Sequence, residues 1–186
     1  MDTVKHPESW TAAWIVTAVY IAIGFVLAVV LPDTVVAEAW IPFDTRLARS
    51  LAAASTDPHR VRLYWAWMPM LFPCALAALA ATAPVRLNSR AADKEGSILI
   101  LVIGFLLFGY VGTPGIVYLV LSMDVTSASS SHRMDRMILG MSRGRLGLFW
   151  GGSWLTTATL MLAWLSYVAI PVSYFKLLKL HRDNRA

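Results

Sequence analysis

Ser131, His132 and Asp135 are the residue types of a nucleophile, a base and an orienting carboxylate, and they fall close together in one segment. A hydrolytic triad needs its members held from separate rigid elements, whereas a serine-rich loop places such neighbours together by composition alone. The histidines His6, His59, His132 and His181 all fall in loops or tails. They show neither the facing pair that holds haem within a bundle nor the helical i, i+4 spacing or cysteine clustering of a zinc site. Cys74 is the only cysteine, so an internal disulfide and a CxxC redox or metal motif are both excluded. Catalytic, cofactor-binding and metal-binding residues are therefore all expected to be absent, and the chain reads as a non-enzyme.

Acidic groups point the same way. An ionisable side chain within a membrane span marks proton relays and ion paths, because its burial is costly unless function retains it. Asp33, Asp124 and Asp135 lie at or beyond the ends of apolar runs, and the runs themselves contain no charge. Proton-coupled transport is disfavoured.

The elements that must hold these residues are set by hydropathy. Of 186 residues 58% are apolar and only 15% charged, well away from the roughly one-quarter charged average of soluble domains. Four long apolar runs, 11–31, 63–83, 97–122 and 146–174, are each long enough to cross a bilayer. Pro32-Asp33 closes the first, which is too long for a signal-peptide core and reads as a retained span. Pro69 and Pro73 predict a kink in the second; Gly104, Gly109, Gly112, Pro114 and Gly115 predict a broken or bent third. Trp150, Trp154 and Tyr174 are placed to meet the two interfaces of the fourth. The fold class is all-α, a polytopic integral membrane protein forming one transmembrane domain over 1–186. Between the first two spans Asp44 is placed to cap a short helix with Leu47, Leu51 and Ala54 on one face, lying on the membrane or against the bundle.

Net charge is +5 with a pI near 9.7, but the basic residues flank apolar runs, where they meet anionic headgroups rather than nucleic acid. With four spans, both tails and the 85–96 loop share one side. That side carries eight Lys or Arg, including every lysine, in a shorter total length than the eight on the other side. The positive-inside rule then puts both termini in the cytoplasm.

Small residues suggest close packing. Gly140 with Gly144, and Gly147 with Gly151, form two GxxxG pairs leading into the fourth span, and Ala75, Ala77, Ala78, Ala80 and Ala81 narrow the second. The hydroxyls Ser153, Thr156, Thr157, Thr159 and Ser166 are expected to bond their own i−4 carbonyls. Lys176, Lys179, His181, Arg182 and Arg185 form a basic tail beyond the last span, suited to lipid headgroups or a cytoplasmic partner.

From Asp135 through Gly140 and Arg143 to Trp164, Tyr167 and Ala169-Ile170-Pro171-Val172-Ser173, the chain resembles membrane proteins encoded within integrating conjugative elements. Arg49-Ser50-Leu51 and Asp57-Pro58 look similar to that family's first long loop, whereas Phe149-Trp150-Gly151-Gly152-Ser153-Trp154 stands where it usually carries basic residues. The resemblance implies an inner-membrane subunit associated with conjugation and type IV secretion, with other membrane subunits and the lipid bilayer as partners. A membrane-embedded immunity protein against a pore-forming toxin is the alternative, and an interfacial lipid-acting enzyme the third reading.

Overall fold

The structure is a computed structural model and describes residues 10–33, 40–85, 96–122, 140 and 143–183. All regular structure among them is helical. Four helices are long and apolar enough to cross a membrane, as expected of a membrane protein.

Helix α1 runs over Thr11–Phe25 and continues through a wider π turn, Val26–Val30. The short α2, Arg46–Ala53, precedes α3, Pro58–Thr82. Helix α4 joins Gly96–Gly104, a π segment Phe105–Gly112 and Thr113–Ser122; α5 joins Arg145–Trp164, a π turn Leu165–Ala169 and Ile170–Asp183.

The three π segments share a cause. Each stops two residues before a proline: Val30 before Pro32, Gly112 before Pro114, Ala169 before Pro171. A proline ring collides with the carbonyl one turn back and has no N–H to offer, and widening the preceding turn moves that carbonyl aside. In α4 the donor missing at Pro114 is the one that π winding would direct at the Gly109 carbonyl. The Tyr167 hydroxyl of α5 donates to that oxygen instead, at 2.7 Å. The glycine-rich third run is thus re-wound but unbroken.

Helix α3 is likewise continuous, with Pro69 and Pro73 inside it. It starts five residues ahead of the second apolar run, because Asp57 caps it and Pro58 supplies a first-turn residue that needs no N–H partner. Ala83, extended before Pro84, ends it. The short α2 forms, but Thr45 rather than Asp44 caps it, accepting from the Ala48 N–H at 3.0 Å. Leu47 and Leu51 are buried on its inner face, while Ala54 ends it and is exposed.

The core is where α1, α3 and α5 meet and where α2 folds back on α3. Tyr20, Tyr64, Met68, Leu79, Leu148 and Leu160 fill it. Gly152 is the closest approach: a Cβ there would overlap Cε1 of the fully buried Tyr64. Helix α4 packs beside the later part of α5, with only 11% of its apolar window covered.

Candidate functional site

The polar constellation of the molecule lies where α1 ends and α3 and α5 begin. Asp57 accepts from the backbone N–H of Arg60 at 3.3 Å as the cap of α3, and its Oδ2 accepts from Arg60 Nε at 2.7 Å. Arg60 Nη2 donates to Asp33 at the end of α1. Arg145, the first residue of α5, donates from Nη2 to both Asp33 oxygens at 2.6 Å and brings its Nε to 3.7 Å from Asp57 Oδ2. Thr56 Oγ1 adds a hydrogen bond of 2.7 Å to the carbonyl of Arg143. Two carboxylates and two guanidiniums therefore neutralise one another and tie three spans at one end.

The apolar runs hold no charge, but the longer α3 does: Arg60 is fully buried in its first turn. An arginine so placed must be paired, and one of its nitrogens, Nη1, still has no partner among the described residues. Hydrogen bonds first from Arg60 and then from Arg145 hold the Asp33 carboxyl below the usual carboxylate range.

Beside this clamp, α2 and α3 enclose an open groove of about 430 Å³ lined by Asp44, Arg49, Ala52, Ala53, Ser55, Pro58 and Arg62. Asp44 bridges its two walls, with Oδ2 at 3.7 Å from Arg49 Nε and 3.2 Å from Arg62 Nη2.

Family models, curated proteins and solved structures offer no match. The chemistry of the clamp and groove is read from their own residues.

Among the residues singled out by sequence, Ser131, His132, Asp124 and Asp135 lie outside the described residues, as do Arg185 and the 86–95 loop. Gly140 and Gly144 are exposed, with nothing within 4 Å of a Cβ position, and Gly144 precedes α5 rather than lying in it. Gly147 and Gly151 are half-buried in the first turns of α5. Lys176, Lys179 and Arg182, past the apolar run, lie in the final turns of α5, which continues beyond that run, and Lys176 Nζ donates to the Val85 carbonyl at 2.7 Å. That bond brings the end of α5 to the end of α3, opposite the clamp.

The hydroxyls divide. Thr156, Thr159 and Ser166 each donate to their own i−4 carbonyl at 2.8 Å. Ser153 instead faces the Tyr64 hydroxyl at 3.4 Å across the helix interface, and the buried Thr157 Oγ1 has no partner among the described residues. Tyr20 donates to the Met68 carbonyl at 3.1 Å, in the part of α3 where Pro69 and Pro73 have removed two backbone donors. Sequence reading missed Arg60, Arg145 and Gly152. The Asp57-Pro58-x-Arg60 spacing, a cap followed by its own i+3 arginine, was the signal for the first of these.

Proposed function

We propose that this chain is a non-enzymatic inner-membrane subunit of a multi-protein machine, of the conjugative transfer or type IV secretion kind. The observation that carries this reading is the uneven use of its helices. Three spans close on one another and are tied by charges that satisfy each other, which is the arrangement of a scaffold. Helix α4, with 11% of its apolar window covered, turns Leu106, Leu107, Tyr110 and Val111 outward. The resemblance running from Asp135 to Ser173 supplies the kind of machine.

The surrounding topology is consistent with this. Lys176 and Lys179 lie where α5 finishes beside the end of α3, and the lysine-bearing intervals of the sequence favour that end as cytoplasmic, with both termini on the same side. The last turns of α5, with Lys176, Lys179 and Arg182, then face a cytoplasmic partner, and α2 lies at the opposite membrane boundary. A clean deletion in the native host tests the whole reading. DNA transfer is expected to fall sharply and to recover on complementation. Transfer at the parental rate rejects it, and newly acquired sensitivity to a pore-forming toxin would establish the immunity reading in its place.

A further inference from the structure

We propose that α4 is a two-state helix: its central segment, Phe105–Gly112, exchanges π winding for α winding and so turns the first half of the helix about its axis, with the Tyr167 hydroxyl as the latch on the π form. This goes beyond the subunit reading and does not depend on it.

The two windings compete for one carbonyl. In α winding the Gly109 oxygen would accept from the N–H of Thr113, four residues on. That N–H is instead turned to the carbonyl of Phe108, five residues back, and the Thr113 hydroxyl donates to the same oxygen at 2.9 Å. The donor that π winding would bring to Gly109 is missing, because the residue five positions on is Pro114. Tyr167 replaces it from α5, at 2.7 Å. Each winding thus satisfies Gly109, one from inside the helix and one from its neighbour. Each also carries a penalty. The α form drives the Pro114 ring against the Tyr110 carbonyl and bends the helix, whereas π winding is intrinsically uncommon. It also depends on glycine at 112, where a Cβ would come to 3.3 Å from the Leu107 carbonyl oxygen. Opposed penalties of this kind are what keep the gap between two conformations small.

The latch is well placed to sense the change. Tyr167 sits in the middle of the π turn Leu165–Ala169, so the widened turns of two neighbouring helices face each other, and Ser166 Cβ lies 3.5 Å from a Cβ position at Gly109. Beyond them, Gly96–Gly104 is free to turn. A one-residue change of register rotates the far side of a helix by about 100° and moves it about 1.5 Å along the axis. Every residue from Leu99 to Ile103 is apolar, so rotation exchanges one apolar face for another. In lipid no hydrophobic force resists that exchange. Gly104, meeting Ile170 at 3.5 Å, makes only ordinary contact with α5.

The test measures the rotation directly. The full chain carrying Cys74→Ala is reconstituted in lipid nanodiscs with spin labels at Ile100→Cys and Phe175→Cys, both exposed positions on the two halves that pack together. A reference pair at Trp14→Cys and Trp150→Cys, also exposed, reports on the helices that form the core. The wild-type background is expected to show one main distance between Ile100 and Phe175 and a minor second one. Tyr167→Phe should raise the ratio of second to first roughly fivefold, the worth of one hydrogen bond. Gly112→Ala should populate the same second distance by opposing π winding, and the reference distance should stay where it is. Tyr167→Phe removes a single oxygen from a half-exposed side chain, which makes it the decisive variant. An unchanged distance distribution in it overturns the proposal. So does a broad, continuous spread, because α4 would then have come loose from α5 rather than turned.

Discussion

Helices α3 and α4 both carry a long apolar window and both contain proline, yet α3 has 39% of that window covered and α4 only 11%. The difference lies in what arrives beside them. Against α3 come α1, α2 and α5, with the Tyr64 ring laid directly on the backbone at Gly152. Against α4 comes mainly the second half of α5. Its Gly115 has nothing within 4 Å of a Cβ position, and Gly104 meets only Ile170 at 3.5 Å. Glycine therefore serves close approach in one region, and in the other it goes with a loosened winding ahead of Pro114. In a membrane, apolarity reports the solvent, and burial has to be read from partners.

The contrast can be broken most severely at the clamp. Asp57→Ala removes the α3 cap and one of the two carboxylates on the buried Arg60. A lost cap and an under-compensated buried charge together should cost roughly 3 kcal/mol in detergent unfolding measurements; a loss no greater than that of a surface substitution would show that Arg60 is hydrated after all. Next comes the glycine pair. Gly152→Ala drives a methyl into the Tyr64 ring and should cost about 2 kcal/mol, whereas Gly115→Ala should be neutral or stabilising by up to about 1 kcal/mol, its helix propensity gained without a clash. Equal effects at the two positions would erase the distinction between core and periphery.

The smallest effect is confined to acid. Because the folded Asp33 carboxyl is held below its usual range, its contribution is fully present above the ordinary value of about 4 and is lost as pH falls through the lowered folded value. Wild type and Asp33→Asn should differ at neutral pH and converge on acidification below about 4. A gap that persists at the acid end would mean that ionised Asp33 is not what holds the clamp.

The four spans were legible because hydropathy over about 20 residues is a sum, insensitive to any one position. Helix starts were less so: Thr45 and Asp44 are both good caps and adjacent, and only the backbone decides between them. The clamp was hidden because Asp33 and Arg145 are 112 residues apart, and Arg60 sits just outside the window that defines the second run. The glycine motifs indicated the right helix but not the right residue. Spacing identifies a face, whereas the bulk that meets it, here Tyr64, comes from another helix. The prolines were visible throughout and were read as stops, kinks or breaks, whereas three of the seven within or just past these helices, Pro32, Pro114 and Pro171, widen the turn before them.

The pairing of Asp33 with Arg145 also has a consequence for how the chain is made. Synthesis at roughly 5–20 residues per second puts on the order of 10 s between the two. During that interval α1 and α3 lack the helix whose Ser153 and Leu160 are buried against them. The bundle can close only once α5 has been made, and α1 and α3 wait for it.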